Sequence, residues 1–217
     1  MDVSEALQIR KSCRAFKPDA VDRDTLLSIL NDARCAPSGA NTQPWEIYIA
    51  GGDPLKEIHQ AYLANIKNHV PERCDISRPK GFPKAAGARI KELMAGMALV
   101  TENTAKLLAE LNRDFFHAPA VIYLCMDKGF DTSWSMFDLG AVSQSIMLAA
   151  TERGLATMPA LELALYPEVL RGKLGIPDNL SVVFGIAIGY EDTQHPINKF
   201  KSARRPVSEI AAMKGIG

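Results

Sequence analysis

The chain has 217 residues, 47% of them hydrophobic and 23% charged, enough to bury a sizeable core without help from disulfides or metal. Its 25 Lys and Arg balance 25 Asp and Glu, which argues against a dedicated binder of nucleic acid or of an acidic membrane. The opening MDVSEALQIRK lacks the apolar stretch of a secretory signal, and no apolar run reaches the roughly 18 residues of a membrane helix. A soluble cytoplasmic protein is expected.

In chain order, a short helix is predicted over about 3–11, ending near the Arg10–Ser12 turn. Asp22 is placed to cap a second helix with apolar positions Leu26, Leu27, Ile29, Leu30 and Ala33. Ala36-Pro37 stops it, because the residue before a proline avoids the helical region. The loop PSGANTQP follows, then WEIYIAGG as a strand with a glycine turn. Residues 54–68 read as helix, 70–83 as a Pro- and Arg-containing loop, and 84–112 as one long helical stretch. APAVIYLCM (118–126) and SVVFGIAIGY (181–190) read as buried strands. Between them, 135–154 is a helix apolar on nearly every face, as suits a domain interior or a subunit interface. No repeat, low-complexity tract or linker interrupts the chain. One α+β domain over 1–217 is expected, its sheet covered on both faces.

Cys13, Cys35, Cys74 and Cys125 are widely spaced and expected to be reduced, and His59, His69, His117 and His195 form no ligand pattern. A metal site is not expected. No P-loop, GxGxxG or GxSxG element is present. The charge distribution says more. Arg10, Lys11, Arg14 and Lys17 fall within 10–17, and Lys199, Lys201, Arg204 and Arg205 within 199–205, neither stretch holding an acid. Two solvated basic stretches would explain this; so would convergence of both chain ends on one anionic group, most simply a phosphate.

The stretch IRKSCRAFKPDAVDRDTLLSILNDARCAPSGANTQPWEIYIAGG resembles the opening of the FMN-dependent nitroreductase superfamily. The R-x-S-x-R element is Arg10, Ser12 and Arg14, followed by Phe16 and Pro18; the APSGxNxQPW element is Ala36 to Trp45. Asn112, Phe115, Phe116, Ala118 and Pro119, the helix residues Trp134, Asp138 and Gly140, and GLATMP, LGIP, GIAIGY and SARRPVSEI continue the likeness in order. The resemblance is closest to the nitrobenzoate-reductase-like branch and weakest over a variable lid region, about 55–100.

That resemblance implies a nitroreductase-like fold, a central mixed or antiparallel sheet flanked by helices, in an intertwined homodimer. Arg10, Lys11, Ser12 and Arg14 would hold the FMN phosphate, ribityl chain and pyrimidine edge, with Lys201 and Arg204 closing on the phosphate and Arg205 left to solvent. Pro37, Ser38, Gly39, Asn41 and Gln43 would meet the flavin of the partner subunit, while Trp45 packs in the core. Thr157, Met158, Pro159, Ala160 and Leu161 would pass beside the flavin N5. Relatives carry a polar side chain just after the proline. Ala160 and Leu161 are apolar, so a backbone N–H is the expected donor.

The implied activity is hydride transfer from NADH or NADPH through FMN to a small-molecule acceptor such as a nitroaromatic, quinone or activated alkene, in ping-pong fashion. No side-chain acid, base or nucleophile is required. A deiodinase-like or flavin-fragmenting relative is a second possibility, although a deiodinase-like lid needs Glu four residues before Tyr, and Ile58 precedes Tyr62 there. A third is a flavin-binding carrier or sensor without turnover.

Overall fold

The computed structural model describes residues 1–216. Four antiparallel strands form one sheet in the order β1-β2-β4-β3: β1 Trp45–Gly51, β2 Ala120–Asp127, β3 Ala156–Ala160 and β4 Leu180–Gly189. The central strands are almost wholly apolar, and both of their faces are covered. On one face Val121, Tyr123 and Cys125 pack with Leu55, Ile58 and Tyr62 from helix α3 (Gly52–Lys67) and with Leu170 from α7 (Pro167–Leu174). On the other, Ile122, Leu124 and Met126 meet Ile29 and Ala33 of α2 (Arg23–Ala33) and Leu139, Val142 and Ile146 of α6 (Thr132–Glu152). A strand's side chains alternate between faces, so each of these runs feeds two cores.

α2 and α6 each start at a capping aspartate. The Asp22 carboxylate accepts the Thr25 N–H at 2.8 Å, and Asp131 accepts from Trp134 at the start of α6. α6 buries one side from Ser135 to Thr151, yet Trp134 and Phe137 stand 77% and 73% exposed.

Three elements depart from expectation. The first helix, α1 (Val3–Ile9), stops before Arg10, whose backbone turns extended (φ −53°, ψ 122°). The segment beyond it then runs along β3, with an isolated parallel bridge from Ser12 to Thr157. β3 itself was not anticipated; it is a short edge strand, which is why it tolerates Pro159. The 84–112 stretch divides into α4 (Lys84–Ala98) and α5 (Thr104–Arg113). Asn103 breaks it in the left-handed region at φ 49°, and the Thr101 hydroxyl hydrogen-bonds to Met97 O.

Candidate active site

The N-terminal and C-terminal basic stretches meet. Asn198, only 2% exposed, is the clasp. Its side-chain oxygen accepts the Arg14 N–H at 2.8 Å, and its amide donates to Ala15 O at 2.7 Å and Asp192 O at 2.9 Å. The Asn198 carbonyl accepts from the Lys11 ammonium, which also pairs with Glu191 at 2.8 Å. On the other side, the Cys13 N–H donates to Thr157 O at 3.0 Å. Residues 11–15 are thus held between β3 and the start of the tail. No sequence signal marked Asn198, a single amide within HPINKF.

Beside this clasp lies a cavity of about 490 Å³ walled by Arg10, Lys11, Gln8, Gln144, Lys201 and Arg204, with Leu7 and Ser202. Lys11 is compensated by Glu191. Among the described residues, Arg10, Lys201 and Arg204 make no ion pair, and Arg204 turns instead to Ser202 and to Ala203 O. Burial and the neighbouring Arg204 charge hold the Arg10 guanidinium below its usual range. Three cations gathered without a counter-charge are unfavourable unless an anion completes them, and guanidinium groups suit a phosphate through bidentate bonds.

Arg14 lies deeper, its guanidinium donating to Ser12 O at 3.2 Å and held low by burial. Cys13 stands between Ser12 and Arg14, but burial pushes its thiol up to about 12, so it offers no thiolate. Along β3, Thr157 is 1% exposed and Ala160 buried, whereas Met158, Pro159 and Leu161 are half-buried. Pro159 has no N–H, and neither Ala160 nor Leu161 carries a side-chain donor.

The loop after α2 stands apart from this cavity within the chain. It turns through Gly39–Asn41, with Ala40, Asn41 and Gln43 all at positive φ. The Gly39 N–H donates to both Asp138 oxygens at 3.2 Å, and the Gln43 N–H donates to Ser38 Oγ at 2.9 Å. Asp138, a motif residue without an expected role, is therefore the loop's anchor on α6. Pro37, Gly39, Asn41 and Gln43 are exposed, Ser38 is half-buried, and none of them lines the basic cavity. Trp45 is half-buried against the α2–α6 core. Tyr62, the lid position of the deiodinase-like alternative, is buried. Its hydroxyl donates to Leu163 O at 2.8 Å and its ring meets Phe115 and Tyr166 edge-on.

Among the described residues, no helix is long and apolar enough to cross a membrane. The chain is 28% identical over 213 residues to a 4-nitrobenzoate reductase of Pseudomonas putida, covering 94% of this chain and 91% of that protein. Its fold matches an FMN- and NADPH-dependent nitroreductase, NfnB, from a Sphingopyxis strain (TM-score 0.89, 27% identity, full coverage of both chains). It also matches the FMN-dependent NfnB of Mycobacterium smegmatis solved with NADPH (TM-score 0.88, 26% identity, 98% of this chain and 100% of that one). The sequence model of the Nitroreductase family covers residues 7–190, from the end of α1 to the end of the last strand, and the chain belongs to that family.

Proposed function

We propose that the protein is an FMN-dependent NAD(P)H oxidoreductase that reduces nitroaromatics, quinones or activated alkenes. One observation carries the reading: Arg10, Lys201 and Arg204, drawn from opposite ends of the chain, line one cavity without an acid to neutralise them. They suit the phosphate of FMN. Ser12 and Arg14, held beside Thr157, would take the polyol chain and ring edge, with Lys11 fixing the segment through Glu191. Thr157, Met158, Pro159, Ala160 and Leu161 would flank the reactive part of the ring, where backbone N–H groups are the available donors. FMN, when bound, supplies hydride acceptance and donation; the chain positions it and keeps water from the ring.

The second half of each site is assigned to a partner subunit. Pro37, Ser38, Gly39, Asn41 and Gln43 form a largely exposed loop braced by Asp138. The exposed Trp134 and Phe137 lie on the same helix as that brace. A homodimer would bury those rings and bring the loop to the other subunit's flavin. Four free cysteines agree with a cytoplasmic setting.

Purified protein is expected to be yellow, to be bleached by NADH or NADPH without air, and to recover its colour when a nitroarene or quinone is added. A colourless chain that takes up no added FMN would overturn the reading. Flavin that binds but is not reduced in stopped-flow mixing would make the protein a carrier.

A further inference from the structure

The cations of the basic cavity come from two ends of the chain, and the two ends are anchored unequally. Arg10 directly follows α1, and the segment after it is held by β3 and by Asn198. Lys201 and Arg204 have no such support. From Lys201 to Ile216 every residue except Ser202 is exposed. Among the described residues, no backbone hydrogen bond of this stretch leaves it, and the Arg204 guanidinium donates only to Ser202 and to Ala203 O.

The residue just before them is packed. The Phe200 N–H donates to Ile197 O at 3.3 Å, and its half-buried ring lies against the core that holds Tyr62, Met97 and Phe115. The ring also rests on α4. A Cβ built on Gly96 would stand 2.7 Å from one ring carbon and 3.4 Å from the next, closer than the roughly 3.5 Å at which carbon contacts become favourable. Helix and tail otherwise flank a cavity of about 640 Å³. The helix has little room to retreat, because Leu93 and the 2% exposed Met97 seat this turn in the core. Glycine inside a helix is destabilising relative to alanine, and at Gly96 the Phe200 ring explains its presence. Gly87, on the same helix, has open space where its Cβ would be.

We propose that Gly96 and Phe200 are positioning residues for the flavin phosphate: the glycine seats the ring, and the seated ring sets where Lys201 and Arg204 leave the core. Phe200 stands between the Asn198 clasp, whose side-chain bonds run to Arg14, Ala15 and Asp192, and the first cation of the tail. Unseating the ring therefore misplaces the C-terminal cations while the clasp stays closed. A binding segment fixed beforehand loses less freedom when its ligand arrives, which raises affinity. The proposal rests on the assignment of the flavin phosphate to the basic cavity.

Dilution of protein loaded with FMN or with riboflavin, followed by the fluorescence of released flavin, tests this without turnover. Riboflavin lacks the phosphate, so it reports on the ring site alone. Gly96→Ala is expected to weaken FMN by about tenfold, the scale of one charge-assisted hydrogen bond, and to leave riboflavin unchanged. Gly87→Ala should alter neither. Phe200→Leu added to Gly96→Ala makes room for the new methyl group and should recover most of the loss. Phe200→Ala adds no bulk to the core and should also weaken FMN selectively, which keeps the test open if Gly96→Ala does not fold. Unchanged FMN affinity in Gly96→Ala and Phe200→Ala would overturn the proposal, as would equal losses for FMN and riboflavin. Failure of the wild-type chain to take up FMN at all would instead overturn the proposed function.

Discussion

At Arg10, folding and binding pull in opposite directions. The side chain is half-buried beside Arg204, so in the flavin-free chain it pays both desolvation and like-charge repulsion. A residue kept for stability would not sit there. Arg10→Ala is expected to weaken FMN binding by about tenfold to a hundredfold, while the melting temperature of the flavin-free protein holds or rises. Fluorescence titration with FMN and thermal melts of the apoprotein check the pair. A lower apoprotein melting point with unchanged flavin affinity would make Arg10 a structural residue. The cations of this site were visible in the sequence because runs of base without acid stand out even in a neutral chain. Asn198 was not: a buried amide looks like any surface amide until the backbone around it is known, and its partners Arg14 and Ala15 lie more than 180 positions away.

Elements that were legible are those whose pattern is local. β2 and β4 announce themselves as unbroken apolar runs, and α2 by its Asp22 cap. β3 could not be read, since five residues containing a proline become a strand only through β4 on one side and Ser12 on the other. The 70–83 stretch was legible as a loop, but what fastens it was not. The Asp75 carboxylate accepts from the Arg171 guanidinium at 2.6 Å and from the Val182 N–H at 2.8 Å, fastening this loop to α7 and to the start of β4. Arg171 is nearly buried and also donates to Leu180 O. Asp75→Ala removes its main partner and strands the Val182 N–H. The expected loss is about 3 kcal/mol, seen as a drop of roughly 10 °C in Tm by calorimetry. An unchanged Tm would mean that Glu168 and Asp178, the remaining acids near Arg171, suffice.

For the molecule as a whole, the apolar character of α6 on every side was readable, but not which side meets the sheet and which is left over. The residue left over is informative: Trp134 and Phe137 are large, apolar and exposed, on a helix otherwise sunk into the core. If the proposed homodimer forms, Phe137→Asp is expected to convert it into monomers and to release FMN, since each site would lose the loop Pro37–Gln43 assigned to the partner. Sedimentation with flavin absorbance tests this; a monomer of 23.7 kDa that keeps its flavin would confine each site to one chain. The clasp between Arg14 and Asn198, 184 positions apart, also fixes when the site can exist. A ribosome delivers the chain from its N-terminus and domains organise as they emerge, so Arg10 waits until Lys201 and Arg204 have been made. If these cations hold the flavin phosphate as proposed, the cofactor does not guide early folding of a nascent chain. On the proposed role of these three cations, arrival of flavin is a completion step, open only once residue 204 has been made.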